Sequence, residues 1–271
     1  ALRVDDVSLF TMTQQPIALA SRWDHALTLA KRTRFDRWAD AQDCVLWTTV
    51  PHLEQLHWVR QRRKRTIVLA LWHELDLVSL NVMKLANLVI CPSVACFEYL
   101  RSLGFTNVVC VPWDCGQPLH TKPPGRSLDS PKLLLPFWDG NANRSELTAI
   151  TLLELLLVKH PRLCVTLACS SSTVSRVATR RLDRLAVPMR ERLRVVRGVP
   201  PSQRFQLFQQ HDLTFYPSHY ESTGLTVLQS LEMSTPVAAF NFRPLTEILA
   251  AHNSVAVNCT EECNTLGMPR D

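Results

Sequence analysis

The chain has 271 residues, of which 46% are hydrophobic and 7% aromatic, and its 30 lysines and arginines outnumber its 24 acidic residues, giving a formal net charge of +6. A chain of this size can bury a large core and forms one long domain or two short ones. It has no run of eighteen apolar residues, and no basic stretch followed by an apolar segment and a small-residue cleavage site at its beginning. We therefore expect neither a membrane span nor a secretory signal, and predict a cytoplasmic protein.

The nine cysteines are an odd number, and most of them lie singly inside apolar runs. This placement is typical of buried, reduced thiols that pack as small hydrophobic residues. Cys259 and Cys263 have the spacing of half a metal site, but no second cysteine pair or histidine pair accompanies them. No metal site is predicted.

The basic residues concentrate in three stretches, residues 31–37, 60–65 and 176–197. Dense positive charge favours an anionic partner, either a nucleic acid or a membrane surface. Solvated helix ends are the alternative for each stretch, and both interpretations stay open.

From Asp43 onwards, short β-branched runs alternate with helical patterns of apolar residues. Strands are predicted at 44–49, 66–72, 87–93 and 107–113, and helices at 52–63, 77–86 and 94–104. Repeated strand-helix-strand units of this length indicate a parallel sheet with helices on both faces. The first part of the chain is therefore predicted to be an α/β domain.

Residues 114–131 interrupt this alternation with four prolines and two glycines. We predict a Pro-rich hinge over 117–131, between a first Rossmann-like domain of residues 1–116 and a second of residues 132–271. After the hinge the alternation resumes, with strands predicted at 132–138, 162–169, 193–199, 213–218 and 236–241, and helices at 145–160, 173–192, 202–210 and from Gly224. Two such halves place a ligand cleft between them, at the carboxyl ends of the strands.

The stretch from Phe215 to Leu249 carries the strongest functional signal. An apolar strand runs into Pro217-Ser218, an exposed Glu221 follows, Gly224-Leu225 opens a helix, and Pro236-Val237 begins the next strand. A helix start offers backbone N–H groups and the positive end of a dipole to a phosphate, and a carboxylate ahead of it can accept hydrogen bonds from sugar hydroxyls. The pattern therefore favours a nucleotide-sugar site.

The order of these residues resembles the donor-site signature of glycosyltransferase family 4, in which a second glutamate stands eight residues after the first. Gln229 occupies that second position here. The resemblance covers the second half of the chain nearly from end to end and reaches back in outline to residue 43. It implies the GT-B fold: an α/β architecture of two Rossmann-like domains whose parallel sheets face an interdomain cleft.

The resemblance also implies roles for individual residues of the second domain. Glu221 would bind the donor sugar, Gln229 the ribose, and the backbone at Gly198 and Val199 the nucleobase. The N–H groups that would hold the diphosphate belong to the helix start, at Ser222, Thr223, Gly224 and Leu225. In the structural alternative, Glu221 is a helix-start carboxylate and Gln229 is an ordinary surface residue.

Family members neutralise the leaving diphosphate with basic residues shortly after the first strand of the second domain, and need no obligatory metal or cofactor. Arg144 is the one base within residues 136–147, with Asn141 or Asn143 in support, and a guanidinium can clamp two phosphate oxygens. His73, at the end of a predicted strand, stands where the family often places a histidine beside the reacting sugar. Glu221, Arg144 and His73 are therefore the predicted catalytic residues. For His73 a purely structural role is the alternative.

Together these residues predict a metal-independent, retaining glycosyltransferase that moves a hexose from a UDP- or GDP-linked donor, such as UDP-glucose, to a hydroxyl group. A basic cluster in the domain that would bind the acceptor favours a large anionic acceptor; it comprises Arg60, Arg62, Arg63, Lys64 and Arg65. We predict a hydroxymethylated base of double-stranded DNA, the acceptor of some phage-encoded glycosyltransferases, ahead of a lipid at a membrane surface. Two alternatives stay open: transfer to an ordinary glycan or lipid, and a binding module that keeps the fold but has lost catalysis.

Overall fold

The computed structural model describes residues 7–9, 27–29, 35–71, 75–113, 129–137, 146–169, 176–218, 221, 223–250 and 254–258. Within these residues the chain forms an α/β structure with parallel sheets, as predicted. It divides into two compact units: unit 1 contains Ala1–Cys91 and Tyr99–Cys110, and unit 2 contains Pro92–Glu98 and Val111–Asp271. Most of the predicted hinge lies outside the described residues, so the domain boundaries stay a prediction.

Unit 1 begins with a pair of parallel strands, β1 (Val7–Leu9) and β2 (Leu27–Leu29). A second parallel sheet contains, in this spatial order, β3 (Cys44–Trp47), β4 (Arg65–Leu69), β5 (Leu88–Cys91) and β6 (Val108–Cys110). The helices in this part of the chain are α1 (Phe35–Asp40), α2 (Leu53–Gln61), α3 (Leu77–Lys84) and α4 (Val94–Ser102). The first five residues of α4 are grouped with unit 2 and the others with unit 1. One valine in each of the first three strands of this sheet is almost fully buried, namely Val45, Val68 and Val89. The alternation predicted from Asp43 onwards is therefore confirmed.

Unit 2 is built on a six-stranded parallel sheet. Its strands are β7 (Lys132–Phe137), β8 (Cys164–Cys169), β9 (Leu193–Arg197), β10 (Leu213–Tyr216), β11 (Val237–Phe240) and β12 (Val255–Val257). Its helices are α5 (Glu146–Lys159), α6 (Arg176–Asp183), α7 (Val187–Arg190), α8 (Pro201–Gln210), α9 (Leu225–Glu232) and α10 (Leu245–Ala250). The spatial strand order is β12-β11-β10-β7-β8-β9. The chain thus runs outwards from β7 to β9 and returns to the other side of β7, which creates a topological switch point between β7 and β10.

Helices pack on both faces of this sheet. Leu133 and Leu135 of β7 point to one face, where they join buried residues of α5, namely Ala149, Ile150, Leu153 and Leu157. Leu134 points to the opposite face, where it joins Leu207 and Phe208 of α8. Alternate residues of β7 therefore supply two separate cores, as the geometry of a strand covered on both sides requires.

The basic segment 173–192, which was predicted to be helical, contains two helices, α6 and α7. The chain leaves the helical conformation between them, and Pro188 stands in the first turn of α7, where the missing N–H of a proline has no cost. Between Arg176 and Arg197 there are eight arginines, one aspartate and one glutamate. This stretch alone therefore carries a charge of +6, which equals the formal net charge of the whole chain.

Two of these arginines hold the fold together. Arg181 makes two hydrogen bonds of 2.9 Å to the carboxylate of Glu154 on α5. Arg192 donates to the carbonyl oxygens of Leu157 and His160 at the end of α5, and to that of Leu163 directly before β8. A cation is favourable there because the last carbonyls of a helix lack partners within the helix and form the negative end of its dipole.

No helix in the described part of the chain has both the length and the apolar composition needed to cross a membrane. The cysteines that the structure describes are free thiols. Cys91, Cys96 and Cys169 are buried, as predicted. The prediction is wrong for Cys44, which is exposed because it begins a strand at the edge of its sheet.

Candidate active site

The switch point of unit 2 places the ends of two strands next to each other. Strands β7 and β10 pair directly, with Leu133 opposite Leu213 and Leu134 opposite Thr214, so both strands end at the same edge of the sheet. In open α/β sheets, ligands bind outside the carboxyl ends of the strands where the strand order reverses. The loop after β10 carries Glu221 and leads to Gly224.

Glu221 is 6% exposed, and its carboxylate accepts a hydrogen bond of 2.5 Å from the hydroxyl of Tyr216. The prediction that Glu221 is exposed is therefore wrong. Tyr216 is the last residue of β10 and is itself 3% exposed. The hydrogen bond therefore holds the Glu221 carboxylate near the end of this strand. A buried carboxylate needs such donors, because burial without hydrogen bonds costs several kcal/mol.

Gly224 has φ of 63° and ψ of 26°, the left-handed conformation that a residue with a side chain adopts only with strain. A Cβ atom at this position would overlap Cδ1 of Ile248 and lie 3.4 Å from Cδ2 of Leu245. The carbonyl of Gly224 accepts the Leu228 N–H at 2.9 Å, which begins α9. Glycine has no side chain to cap the first turn of α9, and the N–H groups of a first helical turn have no partner within the helix. Their proposed role in holding a diphosphate stays a prediction.

A buried hydroxyl cluster fixes α9 against the sheet. The hydroxyl of Ser230 lies 2.7 Å from Oγ1 of Thr214 on β10 and 2.9 Å from the carbonyl of Thr235. Thr235 in turn donates to the carbonyl of Phe208 on α8 at 2.7 Å. All three hydroxyl residues are fully buried, so their mutual bonds satisfy groups that would otherwise be costly to bury. This cluster was not predicted, since its only signal in the sequence is three hydroxyl residues inside apolar runs.

Other predicted donor-site residues of unit 2 lie at loop and helix positions. Gln229 is half-buried, one helical turn after the exposed Leu225. Gly198 follows β9 with φ of 68°, and a Cβ there would meet nothing within 4 Å. Val199 is buried, and its N–H lies 3.4 Å from the Cys169 carbonyl at the end of β8. The roles of these residues towards ribose and base stay predictions.

Several predicted site residues fall outside the described residues. These are His73, Asn141, Asn143, Arg144 and Ser222. Their roles stay predictions. Thr223, the remaining residue of the predicted diphosphate group, is half-buried immediately before Gly224.

The basic cluster of unit 1 is partly engaged within the unit. The guanidinium of Arg62 pairs with the Asp40 carboxylate at 3.0 Å and lies 3.5 Å above the ring of Trp58. The ammonium of Lys64 donates to the backbone carbonyls of Asp40 and Gln42. These two side chains hold the end of α1 against α2. The other three bases of the cluster are exposed, namely Arg60, Arg63 and Arg65.

Comparison with known proteins gives a family match for part of the chain. Residues 177–262, which contain Glu221, Gly224 and Gln229, match the family model "Glycosyl transferases group 1". A search of curated protein sequences finds no match.

Solved structures match over most of the chain at low sequence identity. TarM is 13% identical with a TM-score of 0.65, over 83% of this chain and 47% of TarM. The pneumococcal O-GlcNAc transferase GtfA, determined with UDP and GlcNAc, is 12% identical with a TM-score of 0.62, over 83% of this chain and 48% of GtfA. A trehalose-6-phosphate synthase, determined in a study of glycosyl transfer with retention, is 12% identical with a TM-score of 0.59, over 83% of this chain and 66% of that protein.

The chain spans between about half and two thirds of the length of these proteins. At such identities the likeness concerns the fold, which is the GT-B fold of glycosyltransferases, as predicted. The chain is thus a GT-B protein whose residues 177–262 are similar to glycosyl transferases group 1.

Proposed function

We propose that the chain is a retaining glycosyltransferase of family 4 that moves a sugar from a UDP- or GDP-linked donor to a hydroxyl group. The observation that carries this proposal is the buried Glu221, held by Tyr216 directly ahead of the glycine-capped start of α9 at the switch point of unit 2. In this proposal, the backbone N–H groups that bind the phosphates lie next to the carboxylate that accepts hydrogen bonds from the sugar hydroxyls. The match of this stretch to a glycosyltransferase family model supports the same function.

Each group has a distinct role in the proposed reaction. The first-turn N–H groups of α9 hold the diphosphate and favour the negative charge that develops on it as the sugar leaves. Glu221 fixes the sugar through its hydroxyls, so that the acceptor oxygen and the leaving phosphate oxygen meet on one face of the ring. Arg144 is proposed to supply positive charge to the leaving group without a metal. His73 is proposed to orient the acceptor.

A panel of UDP- and GDP-sugars tests this function. We expect the protein to bind at least one of them and, without an acceptor, to transfer its sugar slowly to water. Coupled detection of the released nucleoside diphosphate measures this hydrolysis. UDP comes first because GtfA, a protein of the same fold, was determined with UDP and GlcNAc. Binding without release by any donor would favour the degenerate binding module, and absence of binding would contradict the proposal.

We propose a hydroxymethylated base of double-stranded DNA as the acceptor, which places the reaction in the cytoplasm. Supporting this acceptor are the three exposed arginines of unit 1, Arg60, Arg63 and Arg65, within six residues of one another. Exposed arginines bind phosphates in a sequence-independent manner and release counterions when they do so. Arg62 and Lys64 are less suited to this role, because both already bind Asp40 of α1.

Replacing Arg60, Arg63 and Arg65 together by alanine should weaken binding to duplex DNA. Removing one arginine–phosphate interaction lowers the slope of log K against log salt by about 0.9, so removing all three should lower it by roughly 3. Fluorescence anisotropy at several salt concentrations measures this slope. A matched control removes the same charge from unit 2, at the exposed Arg180, Arg184 and Arg194, and should leave the slope unchanged. If the native protein does not bind DNA at low salt, or if only the control variant loses binding, the acceptor is a glycan or lipid instead.

A further inference from the structure

Helix α10 makes two sets of contacts, both within unit 2. Its apolar face, with Leu245, Ile248 and Leu249, packs in one cluster with Tyr216 and Val227. Tyr216 binds Glu221, and Ile248 fills the space beside Gly224. This face of α10 therefore lies directly against the residues that form the proposed donor site.

The second set of contacts is made by Glu247. One carboxylate oxygen of Glu247 accepts the N–H of Val94 and the other accepts the N–H of Ala95, both at 2.8 Å. These N–H groups belong to the first turn of α4, in the segment Pro92–Glu98 that is grouped with unit 2. A carboxylate at a helix start satisfies donors that have no partner within the helix and meets the positive end of the dipole.

Arg243 accompanies this contact. Its guanidinium lies 2.9 Å from the Glu98 carboxylate and 3.3 Å from that of Glu247. The side chains of Arg243 and Glu98 are 43% and 58% exposed, and an ion pair this exposed contributes little to stability. Glu247 is 22% exposed and makes two charge-assisted bonds to backbone N–H groups. Such bonds are shorter and stronger than neutral ones, so Glu247 is the main tie between α10 and this segment.

We propose that Glu247 is a positioning residue for nucleotide binding: by anchoring α10 to the first turn of α4, it holds Ile248 and Leu245 against Gly224 and keeps the start of α9 in its diphosphate-binding conformation. This inference rests on the proposed function. Glu247 does not touch the donor in this arrangement, so it acts only through the packing of α10.

Glu247→Gln tests the tie with little change of shape. The amide keeps one acceptor oxygen but turns an NH2 group towards the second backbone N–H, so one of the two bonds is lost. We expect faster hydrogen exchange at the Val94 and Ala95 amides. We also expect the dissociation constant for UDP, or for GDP if the native protein binds it more tightly, to rise roughly tenfold by calorimetry.

Kinetics distinguish positioning from a direct catalytic role. Because Glu247 affects binding of the ground state and of the transition state alike, KM for the donor should rise while kcat changes little. The matched control is Glu98→Gln, which removes the exposed pair with Arg243 but leaves the bonds to Val94 and Ala95 intact. It should leave both amide exchange and nucleotide affinity at native values.

A second variant removes the same contact by changing α4 instead of Glu247. Val94→Pro deletes one of the two donor N–H groups and leaves Glu247 intact, and proline is well tolerated at the first position of a helix. We expect it to raise the nucleotide dissociation constant in the same direction as Glu247→Gln. Faster exchange with unchanged nucleotide affinity in both variants would overturn the proposal and leave Glu247 as a helix cap alone. If the native protein binds neither UDP nor GDP, the proposed function fails first, and the positioning role falls with it even where the exchange result shows the tie.

Discussion

Glu221→Gln should lower the rate of sugar transfer about 30- to 1,000-fold while the chain stays folded, which corresponds to about 2–4 kcal/mol of transition-state stabilisation. Glutamine keeps the shape of the side chain and one acceptor oxygen for the Tyr216 hydroxyl. It loses the charge and the second acceptor that would hold the sugar hydroxyls. The measurement is kcat/KM for transfer or for donor hydrolysis, beside the dissociation constant for UDP, which should stay close to native because the diphosphate binds at α9.

Tyr216→Phe is the matched control for this prediction. It removes the 2.5 Å hydrogen bond to Glu221 but leaves the carboxylate and the buried ring in place. The carboxylate then loses its orientation without losing its charge, so we expect a smaller decrease of about tenfold, close to the 1.4 kcal/mol of one good hydrogen bond. Near-native turnover in Glu221→Gln would contradict the assignment of Glu221 to the donor sugar.

Gly224→Ala should destabilise unit 2 and weaken nucleotide binding together. The left-handed backbone at Gly224 would cost about 1–2 kcal/mol for alanine. The new methyl group would also overlap Cδ1 of Ile248, and overpacking of this kind costs about 1–3 kcal/mol more. Urea unfolding and calorimetry with UDP measure the two effects.

Alanine substitutions at the three glycines with positive φ distinguish backbone strain from steric overlap of the new Cβ atom. Gly104 and Gly198 have φ of 80° and 68°, but a Cβ at either meets nothing within 4 Å. Alanine at these positions should therefore cost only the strain of the backbone. Adding Ile248→Val to Gly224→Ala removes the overlapping Cδ1 atom and should restore part of the lost stability. Equal destabilisation by Gly224→Ala and Gly198→Ala would show that Ile248 moves away freely and that the packing of α10 does not constrain the site.

Much of the fold could be predicted because its signals are local. The run Leu213–Tyr216 is apolar and ends before a proline, and Gly224 stands where α9 begins, so the strand, the loop and the helix start could all be predicted from neighbouring residues. The burial of Glu221 could not be predicted, because it depends on the direction of the Tyr216 side chain across a loop.

Contacts between distant residues set the limit of sequence reasoning at this site. Glu247 binds amides 152 and 153 residues earlier in the chain, and no local pattern indicates such a pairing. The basic residues Arg62 and Lys64 likewise bind groups 22 to 24 residues away. Part of a cluster that suggests a binding surface therefore stabilises the fold instead. Net charge is visible in a sequence, whereas the partner of each charge is a property of the tertiary structure.

The placement of the arginines between α6 and β9 also bears on self-association. Among the described strands, β9 is one edge of the six-stranded sheet, and Arg194 and Arg197 are exposed along it. Charged side chains on an edge strand oppose its pairing with the edge of another molecule. At the opposite edge, β12 is uncharged and exposes Val255 and Val257. Repulsion between like charges thus opposes edge-to-edge aggregation at the β9 edge. The described residues of the β12 edge contribute no such repulsion.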